Sequence, residues 1–446
     1  MAAEIKIEVA SRETIKPSSP TPEEVNGTVK LSLSDQLCPV LYVTALLFYP
    51  GEGEGDDNVR AQLVADKSWR LKSSLSNVLT RYFPLAGRIR DNFWIDCNDE
   101  GAAYIEAEVN CALGDVLGKP DPAVLKRLFP VNMESTEAAS GLLLLMQANF
   151  FKCGGLAIGI AISHKLCDAS TMSSFIKAWT GMARGSVEVL APDFAISSLI
   201  PPLKHLVDNL PVAELPKGLC VTRRYVFDSS RIAALKARAT RCNEDAPEPS
   251  RVEAVSALIW KCAGNASRRN LGAPSRRTVL SQAVNLRKRL MSPLPEHSIG
   301  NFLGSVHTPN DDPEAELHSL VNNLRAYMKD YLETYPIRLE QGQENAMKAI
   351  FEAAGKFGSL MNDESIDFYN CSSWCNLQFY EADFGWGNPI WMSLDSTEFK
   401  NSVVLLDARD GEGIEVWLTL RIPDMAELDH DKELLEFASL NPSVTW

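Results

Sequence analysis

Apolar residues recur along this chain in two alternating rhythms. Residues 40–49 form a β-branched and aromatic run that stops at Pro50, which predicts a buried strand. The acidic stretch GEGEGDDN then reads as a loop. From Val59 the spacing changes. Leu71, Leu75, Val78, Leu79 and Tyr82 recur every three or four residues until Pro84, which predicts a helix ended by that proline. Residues 155–163 read as a second buried strand of small and branched side chains, and 169–179 as a helix with Ser170, Thr171 and Ser173 near its start.

The pattern lapses at 191–217, where five prolines interrupt any period, as expected of a connector between domains. Beyond it, 252–262 is a mixed apolar segment and 278–284 a short strand. Leu317, Leu320, Val321, Leu324 and Met328 then mark one stripe of a long helix. The segment SVVLLDARDGEGIEVWLTL reads as a hairpin, with Ile414, Val416, Leu418 and Leu420 alternating after a glycine-rich turn, and a closing helix starts near Asp424. No fixed-period repeat is visible. Two mixed α/β halves joined by a long linker predict two domains with a cleft between them.

Length agrees, since 446 residues exceed one ordinary core. A net charge of −14 without a Lys/Arg-rich run argues against nucleic acid or an anionic membrane as partner, though not against a local phosphate pocket. The N-terminal MAAEIKIEVASRETIK lacks the apolar region of a signal peptide, and the longest apolar runs, 40–49 and 154–162, are too short to span a membrane. Ten cysteines without a CxxC pair fit reduced, mostly buried thiols of a cytoplasmic protein. No heptad seam signals an oligomer, so a monomer is expected.

Two motifs carry candidate chemistry. His164-Lys165-Leu166-Cys167-Asp168 puts a histidine at the end of an apolar strand with a carboxylate four residues on. HxxxD alone is weak, with about 0.3 matches expected per chain from composition. A second match, His307…Asp311, sits among Pro, Asn and Asp and reads as a polar loop. Context separates the two, because a strand end facing a cleft holds a base rigidly. The competing reading of the first motif is a hydrogen-bonded core histidine with Asp168 capping the next helix. Asp383-Phe384-Gly385-Trp386-Gly387 is far rarer by chance, on the order of one in ten thousand chains. It reads as a tight turn capped by Asp383 and anchored by Trp386, structural at least as readily as chemical. No G-x-S-x-G elbow, phosphate-binding glycine loop or HExxH is present, and the six histidines are scattered, so neither a serine nucleophile nor a metal site is expected. What remains is a base that deprotonates the substrate itself.

HKLCD followed by DFGWG, together with LSLSDQLCPVLYVTALLFYP, LTRYFPLAGRI, VSALIWKC and VNLR before Asn301, resembles the plant BAHD acyl-CoA-dependent acyltransferases over the whole chain. SPTPEE…LSLSDQ resembles the branch of alkaloid, terpenoid and alcohol acetyltransferases. The resemblance implies an α/β fold of two chloramphenicol-acetyltransferase-like domains, 1–190 and 218–446, with 191–217 crossing between them and about 376–395 crossing back. A channel between the domains would admit acyl-CoA from one face and a small hydroxylated acceptor from the other. It implies His164 as general base, Asp168 paired with Arg287, and Ser372 and Trp374 at the reacting carbonyl. Asp383, sometimes held catalytic in the family, and Trp386 would belong to a remote structural turn. Ser256 and Asn301 would contact CoA, a co-substrate and not a bound cofactor. Malonyltransferases of the family carry Y-F-G-N-C where this chain has Ser298-Ile299-Gly300-Asn301-Phe302, and Asn376 replaces an arginine handle for acidic acceptors; both differences point away from those substrates. Acetyl-CoA and a plant specialised metabolite are the expected pair. The rivals are a longer or aromatic donor, an amine acceptor, or a non-catalytic binding homologue.

Overall fold

Two large sheets carry the chain. The structure, a computed structural model, describes residues 4–21, 27–51, 57–186, 191–204, 215–240 and 247–446. The first sheet has the order Ile7–Ile15, Ala102–Val109, Leu144–Phe151, Leu156–Ser163, Tyr42–Tyr49, Trp391–Ser393. The second runs Leu303–Asn310, Arg277–Asn285, Ile366–Ser373, Ser402–Asp407, Ile414–Arg421, Cys220–Phe227, Ser439–Leu440. The first sheet thus takes its last strand from late in the sequence, where Trp391 pairs with Phe48 across an antiparallel ladder.

The central strands of the first sheet are apolar throughout because both faces are covered. Every residue of Tyr42–Tyr49 and of Leu156–Ser163 is buried. The helices Asp57–Arg81 and Ala169–Ala183 pack on each other and share one large core with this sheet. Helix Asp57–Arg81 gives way to a 3-10 turn, Phe83–Ala86, that starts with Pro84 near its first position, as the sequence pattern predicts. The second helix runs a turn past its predicted end at Trp179. The acidic loop and the linker lie only partly within the described residues: 52–56, 187–190 and 205–214 fall outside, and 195–199 is a short helix.

In the second half the strand Arg277–Asn285 and the hairpin strands Ser402–Asp407 and Ile414–Arg421 lie where their alternation places them. The apolar segment at 252–262 is part of a helix, Arg251–Leu271, opened by a reciprocal Ser250–Glu253 capping box and closed by Gly272 in the left-handed conformation. The predicted long helix, Leu317–Glu340, is followed by a second, Gln343–Met361. The reading of His307 as part of a polar loop is corrected. His307 lies in the buried strand Leu303–Asn310, its ring between the hydroxyls of Ser281 and Ser305. That strand is the sheet's edge, and an edge tolerates Pro309 because one side of its ladder is unpaired. Asp311 lies beyond it and pairs with Arg277.

All nine described cysteines are free, four of them buried and five partly so. No described helix is long and apolar enough to cross a membrane.

Candidate active site

The strand Leu156–Ser163 delivers His164 at its end, and the backbone N–H of His164 donates to Leu41 O on the neighbouring chain segment. Four residues later, at its N-cap Asp168, the chain turns into helix Ala169–Ala183. Its Oδ1 accepts the Thr171 N–H at 2.8 Å. The same carboxylate receives Arg287 as a fork, Nη1 to Oδ2 at 2.7 Å and Nη2 to Oδ1 at 3.1 Å, with both side chains fully buried. Asp168 therefore caps the helix and pairs with Arg287 at the same time.

Arg287 spends its other donors on the segment 298–302. Nε donates to Ser298 O, Nη2 to Gly300 O, and Nη1 also reaches Asn285 Oδ1. Thr171 Oγ1 donates to Gly300 O as well, and Phe302 N–H reaches Asp168 Oδ2 at 3.3 Å. Cys167 and Gly300 form a backbone bridge. Asp168 and Arg287 thus fasten 298–302, which belongs to the second half of the sequence, against the turn that bears His164.

That segment carries Asn301, which holds the imidazole. Asn301 Nδ2 donates to His164 O at 2.6 Å and to Asp35 Oδ1 at 2.8 Å. Both partners only accept, so the amide oxygen is the atom facing His164 Nδ1 at 2.9 Å. Nδ1 must then carry the proton, which leaves Nε2 as the basic nitrogen. Burial lowers the imidazole pKa from its ordinary value, against the opposing pull of its hydrogen bonds and of Asp168, so the ring is neutral at pH 7. At Asp168 burial alone would raise the carboxyl pKa; the Arg287 guanidinium outweighs it and holds the pKa below the ordinary value.

Asp35 is a site residue that the sequence reading missed. Its buried carboxylate caps Ser32 N–H, accepts the Ser32 hydroxyl and takes two bonds from Asn301. The capping-box spacing Ser32…Asp35 was visible in LSLSDQL. Its partner, 266 positions away, was not.

His164 lines a cavity of about 1400 Å³ between the sheets and a second of about 100 Å³ beside it, so two spaces flank the imidazole. Ser372 and Trp374, at the end of the strand Ile366–Ser373, line both. From the strand Tyr42–Tyr49, Val43 and Thr44 line the large cavity, while Asn376 is exposed and lines neither cavity. The expected CoA contact at Ser256 has no counterpart in these cavities, because its hydroxyl points inward to Cys371 Sγ. Asn301 does line the large cavity, but its amide is committed to His164 and Asp35.

Asp383 and Trp386 line neither cavity. Asp383 Oδ1 accepts the N–H of Gly385 and of Gly387, both glycines at positive φ, which closes the turn. Phe384 packs edge-on against Trp179 at 4.6 Å and Tyr49 at 6.1 Å, and the Trp386 ring stacks on Phe384 beneath Lys67. Arg184 donates to Asp383 O. The turn locks the late crossing segment onto the helices of the first sheet, and a catalytic assignment for Asp383 finds no geometric basis. Among the described residues, no cluster of His, Cys, Asp and Glu could hold a metal ion.

A neutral histidine with one basic nitrogen, lining two adjoining spaces, is suited to taking a proton from a substrate directly. A family model described as the Transferase family matches residues 5–435. Akuammiline synthase 1 from Alstonia scholaris is 35% identical, over 96% of this chain and 97% of that one. Limonoid 7-O-acetyltransferase from Citrus sinensis is 36% identical, over 98% of this chain and 99% of that one. The crystal structure of vinorine synthase superposes with a TM-score of 0.83 at 33% identity, covering 99% of this chain and 100% of that one. The chain belongs to this transferase family, the BAHD acyl-CoA-dependent O-acyltransferases.

Proposed function

We propose that the protein is a cytoplasmic, monomeric enzyme that moves an acetyl group from acetyl-CoA to a hydroxyl of a plant specialised metabolite. Its domains would be 1–190 and 218–446, with 191–217 and about 376–395 as the crossings. The observation that carries the reading is the Asn301–His164 hydrogen bond, which fixes the tautomer with Nε2 basic. The limonoid acetyltransferase among the relatives supports the acetyl donor and the alcohol acceptor.

An alcohol is almost wholly protonated at pH 7, so it needs its proton removed as it attacks. His164 Nε2 takes that proton while the acceptor oxygen adds to the thioester carbonyl. The oxyanion that forms is stabilised by hydrogen-bond donors, for which Ser372 Oγ and Trp374 Nε1 are the candidates at the cavity wall. The tetrahedral intermediate collapses by breaking its C–S bond, and the CoA thiolate, with a thiol-like pKa of about 8–9, recovers the proton from His164. Asp168, Arg287 and Asn301 position the base without touching substrate.

The test is thiol release from acetyl-CoA against hydroxylated alkaloids, terpenoids and simple alcohols, with His164→Ala as control. Release that requires both an acceptor and His164 supports the assignment. Release only with longer or aromatic acyl-CoAs overturns the acetyl donor, and CoA binding without turnover on any pair overturns the activity.

A further inference from the structure

One row of the second sheet is polar from strand to strand. His307 is the register partner of Ser281, Ser281 of Asn370, Asn370 of Ser402, Ser402 of Thr419 and Thr419 of Thr222. Register partners share a face, so these side chains form a belt across six of the seven strands. Asn370, Ser402, Thr419 and Thr222 all line the large cavity. The ends of the belt are satisfied internally. His307 Nδ1 and Ser281 Oγ lie 3.1 Å apart, and the hydroxyls of Thr222 and Thr419 lie 2.8 Å apart.

The middle of the belt is not. Asn370 and Ser402 are half-buried, and neither side chain has a hydrogen-bond partner among the described residues. Their polar atoms are not sealed off, in contrast to Asp395 Oδ1 and Trp417 Nε1 of the same cavity, which are buried without a partner. An apolar ligand laid over the pair would strip its water and return nothing, whereas an oxygen placed there restores the bonds. The carboxamide both donates and accepts, so it suits a hydroxyl or a carbonyl. The described lining holds no lysine or arginine, which leaves the phosphates of CoA without a partner and fits this cavity to the acceptor. Ser372, two residues on from Asn370 in one strand and on the same face, lines both spaces beside His164. Two residues of strand set the belt about 7 Å from the reacting centre.

We propose that Asn370 and Ser402 are specificity-determining residues that bind a second, uncharged oxygen of the acceptor, held about 7 Å from the hydroxyl that His164 deprotonates. This rests on the acyl-transfer reading and fixes a distance within the acceptor, whatever its skeleton. Asn370 supplies the principal bond and Ser402, its neighbour across the ladder, a second to the same oxygen.

The experiment uses rigid fused-ring diols whose two oxygens stand at a short, a matching (about 7 Å) and a long separation, each paired with its singly deoxygenated analogue. Equilibrium binding to the full-length protein and acceptor-dependent thiol release from acetyl-CoA are both measured, for the wild type, Asn370→Leu and Ser402→Ala. The wild type is expected to favour the matching diol over its deoxy analogue by about 3–10-fold, the range of one or two neutral hydrogen bonds, and to show no such ratio at the other separations. Asn370→Leu, which keeps the side chain's size, should bring the ratio to within about twofold, and Ser402→Ala should lower it by a smaller factor. If Asn370→Leu does not fold, Ser402→Ala and Asn370→Ala carry the test. A ratio that ignores the separation, or one unchanged in the variants that fold, overturns the proposal while turnover leaves the acyl-transfer reading in place. A matching-diol preference in binding that is lost in Asn370→Leu, without thiol release from any donor, would sink the acyl-transfer reading and leave the belt standing as a binding site.

Discussion

Replacing Asp168 tests whether the motif aspartate acts on the chemistry or on the architecture around it. Asp168→Ala removes the carboxylate that pairs with Arg287, whose side chain is fully buried. Leaving one member of such a pair uncompensated costs about 3–5 kcal/mol. The same change deletes the cap on Thr171 N–H, about 1 kcal/mol more. The sum, roughly 4–6 kcal/mol, is a large part of a typical stability of about 5–15 kcal/mol. Asp168→Asn keeps one oxygen for Thr171 and Arg287 Nη2, but turns an amide NH2 toward Arg287 Nη1 and Phe302 N–H, which are also donors. A loss of about 2–3 kcal/mol follows. Denaturant unfolding should therefore rank wild type above Asn and Asn above Ala. Turnover should fall in the same order, because the segment 298–302 that carries Asn301 loosens.

The depressed Asp168 pKa adds a pH signature. The carboxylate's contribution is complete above its unfolded pKa near 4 and is lost as pH falls through the lower folded value, so the gap between wild type and Asn should close in acid. If Asp168→Ala does not fold, the double variant Asp168→Ala, Arg287→Met removes both buried charges and should recover part of the loss. A stable Asp168→Ala protein with wild-type unfolding and no turnover would refute the architectural role.

Because burial lowers the His164 pKa, the acid limb of kcat/KM should fall at an apparent pKa below 6.5; a limb at 7 or above would contradict a buried neutral base. Asn301→Ala frees the imidazole tautomer and should lower kcat roughly 10–100-fold while the KM for acetyl-CoA holds, and a pure KM effect would return Asn301 to CoA binding. Asp395 is the converse of Asp168. Its folded pKa of about 6 lies above the unfolded value near 4, so the folded state is penalised as pH rises between them, by about 3 kcal/mol once above 6. Asp395→Asn should thus match the wild type below pH 4 and exceed it in stability above pH 6, and a destabilised Asn variant at pH 7 would show the carboxylate to be structural.

The parts of this molecule that the sequence discloses are those whose signal is local. The strands Tyr42–Tyr49 and Leu156–Ser163 announce themselves as unbroken apolar runs because both faces are covered. The DFGWG turn is local too, since Asp383 satisfies N–H groups two and four residues on. The strand holding His307 was hidden because Pro309 reads as a loop residue unless one knows that the strand is at an edge. Helix Arg251–Leu271 was signalled by its Ser250–Glu253 box, which the apolar pattern alone did not use. The unpaired Asp395 Oδ1 could not be read at all, because an unpaired oxygen is defined by what long-range packing leaves out.

His164 and Asp168 were four residues apart for a reason that neither general-base chemistry nor capping supplies alone. The first must end a strand to reach the cavity, and the second must start a helix to be held in place, so the spacing is the length of the turn between them. That turn is buried, and Arg287 reaches it from the other half of the chain, 119 positions on. The cap fixes the carboxylate, the carboxylate fixes Arg287, and Arg287 fixes the carbonyls of Ser298 and Gly300 on either side of Ile299. Only then does Asn301 stand where its amide can choose the imidazole tautomer. The base is therefore made competent by the meeting of the two halves, and any substitution that weakens their contact at 298–302 should reach the chemistry through His164 before it reaches substrate binding.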